Sequence, residues 1–203
     1  AVATIVLVEP QHPGNVGAVA RVMANFGCDE LLLVGGCEID DDAMARAKAG
    51  RPLLESARRI ASLKEALVET PVSVATSGIV PKGDSRWQRA PHPVQELAGL
   101  LEGREPALVF GRENHGLDRG ELALCDLTIQ VPTSPEHPVL NLSHAVGIVL
   151  YELFRNDAFQ RPYRPDVVDR HEIDLLVERI MEAVRESRFT ERRLPRAETT
   201  LRR

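Results

Sequence analysis

Two uninterrupted apolar runs, Thr4-Ile-Val-Leu-Val8 and Leu31-Leu-Leu-Val34, bracket a stretch in which Val16, Val19, Ala20, Met23 and Phe26 recur at helical spacing. This succession of strand, helix and strand constrains the fold more than any other feature. A strand without polar alternation has to be covered on both faces, and a crossover helix is the usual way to lay two such strands side by side. The first run stops at Glu9-Pro10, and a helix is expected with Asn15 as its N-cap and Gly27 as its stop. The pattern then repeats. Residues 41–49 and 53–69 read as helical with a break near Pro52, and residues 72–75 as a strand ending in Thr76-Ser77-Gly78. A polar loop over 79–93, a helix over 94–101, a strand over 107–110, a short helix over 117–124 and a strand over 127–131 follow. Residues 141–156 form a long helix with Leu142, Ala145, Val146, Val149, Leu150 and Leu153 on one broad apolar face. The expected fold is therefore α/β, a mainly parallel sheet with helices on both faces.

After Asn156 the texture changes, which divides the chain into a domain over 1–156 and an extension over 157–203. Pro162 and Pro165 mark a linker, and residues 170–186 carry Ile173, Leu176, Val177, Ile180 and Val184 at amphipathic spacing. A basic tail with Arg188, Arg192, Arg193, Arg196, Arg202 and Arg203 closes the sequence.

Composition narrows the function classes. No apolar run approaches the roughly 18 residues that span a bilayer, and no basic-then-apolar leader opens the sequence, so a soluble, cytoplasmic protein without membrane contact is expected. Cys28, Cys37 and Cys125 are too few and too irregular for a disulfide framework and read as reduced thiols. The six histidines include no H-x-x-x-H pair, so no metal site is expected. A net charge of −5 disfavours indiscriminate polyanion binding yet leaves room for a local basic surface.

In open parallel sheets ligands bind beyond the carboxyl ends of the strands, and three segments there carry the chemistry. In the first, Glu9-Pro-Gln-His-Pro-Gly-Asn-Val-Gly-Ala-Val-Ala-Arg21, Gly17, Arg21 and Ala24 are spaced to share one helix face, where small residues around an arginine leave room for a ligand. Gly14 and Gly17 supply only G-x-x-G, so the Rossmann fingerprint is missing, and so is the Walker pattern. The second, Leu108-Val-Phe-Gly-Arg-Glu-Asn-His-Gly-Leu117, discharges a buried strand into Gly111-Arg112-Glu113, an acid and a base that can also simply pair with neighbouring elements. In the third, residues 129–146, a strand enters a proline-rich loop and then a helix that Asn141 or Ser143 can cap.

Together, in this order, the segments at 15–21, 110–117 and 131–143 resemble the three motifs of the SpoU/TrmH family of SPOUT RNA methyltransferases. The likeness spans roughly residues 3–156. Val8-Glu9, Val109-Phe110-Gly111-Arg112-Glu113 and the helical extension follow the layout of the TrmJ group of tRNA 2′-O-methyltransferases. The resemblance implies a fold whose C-terminal part is threaded into a deep trefoil knot, an exception to the unknotted rule. It implies S-adenosylmethionine bound by Thr76, Ser77, Gly78, Gly111, Val131 and Leu140, and a catalytic set of Arg21, Asn15, Glu113 and Asn141. Where the family often has Ser-Leu-Asn-Leu, this chain has Val139-Leu-Asn-Leu, so a hydroxyl contact is lost.

An arginine base is chemically unfavourable, because a guanidinium is almost never neutral in a protein. Arg21 is therefore expected to stay a cation that grips the substrate phosphate and steadies the developing alkoxide, with Glu113 orienting it and phosphate or water taking the proton. Asn15 and Asn141 would fix ribose and loops. Lys82, Arg86, Trp87 and Arg89 are the expected RNA contact, with Trp87 stacking on a base or anchoring its own loop; Arg46, Lys48, Arg51, Arg58 and Arg59 offer a second track. His115 and His144 read as packing or hydrogen-bonding residues. The resemblance also implies a homodimer and tRNA as partner, with nucleotide 32 of the anticodon loop as target and rRNA still open. A non-catalytic RNA-binding module of this fold and a Rossmann-type oxidoreductase are the rival readings.

Overall fold

The computed structural model describes residues 2–68, 70–78, 91–158 and 170–186. Among them, seven strands pair in parallel: β1 (Thr4–Val8), β2 (Glu30–Val34), β3 (Arg58–Ile60), β4 (Val72–Thr76), β5 (His92–Pro93), β6 (Pro106–Phe110) and β7 (Leu127–Gln130). Their spatial order is β3-β2-β1-β6-β4-β7-β5. The first half runs outward from β1, but in the second half β7 lies between β4 and β5, two strands that precede it in the chain. A Rossmann sheet extends outward in chain order on both sides of its switch point, so the two architectures part company at β6.

The helices are α1 (Pro13–Phe26), α2 (Asp41–Ala47), α3 (Arg51–Glu55), α4 (Leu63–Ala66), α5 (Leu97–Leu101), α6 (Arg119–Leu124), α7 (Leu142–Ala158) and α8 (Arg170–Glu186). The period of two along each strand divides the core into two layers. Ile5, Leu7, Leu31, Leu33, Leu108 and Phe110 face the layer filled by α1, α2, α3, α5 and α7. Val6, Val8, Leu32, Val34, Ala107 and Val109 face a thinner layer covered by α4, with Leu122 of α6 packed against it. Residues 1–159 and 160–203 separate as two compact units; in the second, α8 is the described element.

Two expectations need correction. The helix expected over 53–69 is instead α3, β3 and α4: Arg58–Ile60 pairs with Leu32–Val34 as an edge strand, and the Ser62 hydroxyl restarts the helix by accepting the Glu65 N–H. The break expected near Pro52 is present: α2 ends at Ala47 and α3 starts at Arg51, with Pro52 in its first turn, where its missing N–H costs nothing. Asn15 does not cap α1. Pro13 takes the first helical position and His12 becomes the N-cap, without a side-chain bond, so the helix begins earlier and the Asn15 amide is left for another task.

Candidate active site

At the carboxyl ends of β4, β6 and β7 a cleft opens, enclosing about 810 Å³ including space open to solvent. Thr76, Ser77, Gly78, Gly111, Val131 and Leu140 all line it. Phe110, Ile129, Leu142, Ala145 and Val149 make its apolar walls, a lining typical of small-molecule sites. In the amino-acid order these wall residues show only as core positions, because a strand or helix residue pointing into the core and one pointing into a cleft carry the same apolar signature. Thr76 donates its hydroxyl to the Val109 carbonyl at 3.0 Å, so it ties β4 to β6. Gly111 is glycine for a local reason: a Cβ there would run into the backbone of Gly116 and Leu117, which closes the 111–117 loop over the cleft. Val139, 59% exposed, stands at the rim near Gly78.

Glu113 lies at the cleft's edge and reaches across to the segment between β1 and α1. Its Oε2 accepts the Gln11 N–H at 2.8 Å, and its Oε1 accepts the His12 N–H at 3.2 Å and the Asn15 side-chain amide at 2.9 Å. Asn15 in turn accepts the Asn141 amide at 3.0 Å. Asn141 caps α7, its Oδ1 accepting both the Ser143 N–H at 3.0 Å and the Ser143 hydroxyl at 2.8 Å. The three distant segments are thus joined by one directed chain of hydrogen bonds, Ser143 to Asn141 to Asn15 to Glu113, that requires an ionised acceptor at its end. Partial burial pushes the Glu113 carboxyl up, but the bonds from Asn15 and from the backbone N–H groups of Gln11, Glu113 and His12 outweigh it and leave the group below the usual carboxylate range.

Beside Glu113, the Arg112 guanidinium points the other way. It holds Glu121 with two parallel bonds of 2.9 and 3.0 Å and donates Nε to Glu9 at 2.7 Å. Glu121 is also the third residue of the capping box that Asp118 sets at the start of α6. Both carboxylates hold Arg112 firmly protonated, and Arg112 in turn keeps the Glu9 carboxyl low. Glu9 has a φ of 45°, a left-handed conformation that costs a non-glycine residue about 1–2 kcal/mol.

Arg21 is exposed on α1 and has no ion pair or hydrogen bond among the described residues. Glu113 does not orient it: both oxygens are committed to Gln11, His12 and Asn15. The room expected around Gly17 is also filled. A Cβ at Gly17 would collide with the Ala43 carbonyl of α2, so this glycine serves helix packing and not ligand approach. Of the second basic track, Arg46, Arg58 and Arg59 are paired with Asp42, Glu30 and Glu38, and Arg51 bonds the Met44 carbonyl. Lys82, Arg86, Trp87 and Arg89 lie outside the described residues. Cys28, Cys37 and Cys125 are free thiols, and burial pushes Cys28 up to about 11 and Cys125 up to about 12, which removes both as nucleophiles at neutral pH. Among the described residues no cluster of metal-ligating side chains occurs, and no helix is long and apolar enough to cross a membrane.

Fold and site together define a parallel α/β protein of interleaved, non-Rossmann strand order, with a cleft for a small cofactor at the carboxyl edge of its sheet and an amide and carboxylate chain at the mouth. The chain belongs to the SpoU rRNA Methylase family, whose pattern matches residues 3–151. It is 41% identical over 154 residues to the tRNA (cytidine-2′-O-)-methyltransferase TrmJ of Methanocaldococcus jannaschii, covering 74% of this chain and 66% of that one. It is 38% identical over 158 residues to the tRNA (cytidine/uridine/adenosine-2′-O-)-methyltransferase TrmJ of Pseudomonas aeruginosa, covering 73% and 59%. The chain therefore spans less than two thirds of the length of these curated relatives. Its fold matches the crystal structure of TrmJ from Z. mobilis ZM4 with a TM-score of 0.69 and 28% identity, over 100% of this chain and 89% of that one.

Proposed function

We propose that this protein is an S-adenosylmethionine-dependent RNA ribose 2′-O-methyltransferase acting on tRNA, with residues 1–156 as the catalytic domain and 157–203 as linker and extension. The observation that carries this reading is the convergence of the three motif segments: the cleft lies on one side of Glu113, and on the other its carboxylate is bonded through Asn15 to Asn141. Size and lining suit the methyl donor, with Ser77, Gly78, Gly111 and Val131 at the strand ends and Leu140 just before α7 to hold its adenosine part and apolar walls behind them. When bound, the donor supplies an electrophilic methyl group.

The chain's own residues handle the acceptor. A ribose hydroxyl is a poor nucleophile until its proton leaves, so the site has to place it and stabilise negative charge on its oxygen. Glu113 is a weak base here, depleted by its hydrogen bonds, and serves to hold the 11–15 segment. Asn15 and Asn141 fix the ribose and the loops without changing charge. Arg21, a cation on α1 with no ion pair among the described residues, grips the RNA phosphate and steadies the alkoxide, while phosphate or water takes the proton. The Lys82, Arg86, Trp87 and Arg89 loop binds RNA in this reading, as does a second copy of the chain in a homodimer. Localisation is cytoplasmic, and nucleotide 32 is the target position.

Transfer of labelled methyl groups to tRNA, with mapping of the modified ribose and calorimetry with S-adenosylhomocysteine, tests the proposal. Methylation of a tRNA ribose and binding of the homocysteine product support it. A protein that binds no S-adenosylhomocysteine and labels no tRNA overturns it.

A further inference from the structure

Adjacent residues Arg112 and Glu113 engage the same short segment with opposite polarity. Glu113 accepts from Gln11, His12 and Asn15, while Arg112 donates to Glu9, the residue that follows β1 in a left-handed conformation. Arg112 is itself fixed from behind by the two-pronged bond to Glu121, which the capping box of α6 locks in place. Its side chain is 11% exposed and that of Glu121 15%, so this pairing is shielded from water, whereas Glu9 is 56% exposed and free to leave if the guanidinium is lost.

We infer that Arg112 is a positioning residue of the acceptor half of the site: acting through Glu9, it sets the turn between β1 and α1 so that the Gln11 and His12 amides and Asn15 meet Glu113. Two links of opposite charge make the segment hard to slide or flip, because any register that satisfies one breaks the other. The donor cleft depends less on this device, since Arg112 lines it by its place in the 111–117 loop and not through Glu9. The inference rests on the methyltransferase reading for its kinetic consequence, but its structural core stands apart from it.

The test uses the full chain with Glu9→Ala, Glu9→Gln and Arg112→Lys. Exchange of the Gln11 and His12 backbone amides, followed by NMR without RNA or donor, should quicken about tenfold in Glu9→Ala and Arg112→Lys, with β2 amides unchanged. In methyl transfer to tRNA, kcat should fall about tenfold in the same two variants, while in Glu9→Ala, whose side chain is outside the cleft lining, KM for S-adenosylmethionine stays within about twofold. Glu9→Gln, which keeps a neutral acceptor for Arg112, should recover part of both effects. Unchanged exchange in both variants overturns the inference, as does a rise in KM that accounts for the whole loss. A wild-type protein that methylates no RNA would sink the proposed function alone, because the exchange measurement still decides the role of Arg112.

Discussion

The cleft and the hydrogen-bonded chain at its mouth are built from unlike materials although they share Glu113 as a boundary. Phe110, Ile129 and Val149 wall the cleft with apolar atoms. The chain from Ser143 to Glu113 is made of amides, a hydroxyl and a carboxylate, each bond with a donor and an acceptor that cannot be exchanged. Dispersion contacts weaken gradually as shape changes, whereas a part-buried acceptor that meets another acceptor, as a carboxylate at position 15 would meet Glu113, loses its bond and keeps its desolvation cost. Compliance in the cleft and brittleness at its mouth are the expected consequence.

The sharpest way to break this contrast is Asn15→Asp, which keeps the shape but sets a carboxylate where an amide now donates to Glu113 at 2.9 Å. Methyl transfer should drop at least about 100-fold, as when an essential preorganised donor is removed. Stability should fall by about 2 kcal/mol in denaturant titration, while S-adenosylhomocysteine affinity changes little. Gly111→Ala probes the rigid part of the cleft side: the added Cβ has to displace the backbone of Gly116 and Leu117, and the cost should be about 1–3 kcal/mol with weakened S-adenosylhomocysteine binding.

Acid titration comes next in size. Glu113 and Glu9 both sit below their ordinary value of 4.5 in the folded chain, so the unfolded state binds protons first as pH falls. Their stabilisation is complete above that value and drains away as pH drops through the lowered folded values. Melting temperature should therefore fall on acidification, and Glu113→Gln should flatten that fall relative to wild type. The smallest effect belongs to the compliant rim: Val139→Ser, exposed and bonded to nothing now, should shift S-adenosylhomocysteine affinity by no more than about threefold, within the worth of one exposed hydrogen bond. A loss there as large as that of Asn15→Asp would erase the distinction between the two regions.

What could be read in advance follows the same divide. The runs at 4–8 and 31–34 and the periodicity of α1 and α7 signal their elements because burial on both faces or on one stripe leaves its mark in composition. Arg58–Ile60 leaves no such mark. Its side chains are exposed or half-buried and it is a strand only because β2 offers an unpaired edge. In the site, the motif order at 15–21, 110–117 and 131–143 points to the residues, but not to the division of labour among them. Asn15 as a cap is reasonable at the level of local spacing and Glu113 as a partner of Arg21 follows from the family resemblance, and both yield to contacts between residues about a hundred positions apart.

The amino-acid order alone settles that strands and helices alternate, that the sheet is parallel and buried, and which strand ends bear polar residues, because each of these depends on neighbours within a few positions. The interleaving of β7 between β4 and β5, the placing of Gly17 against Ala43 and the pairing of Arg112 with Glu9 and Glu121 were decided only by the folded chain. Hydrogen bonds and ion pairs are short-ranged and directional, and which groups come within their reach is a property of topology, not of spacing along the sequence.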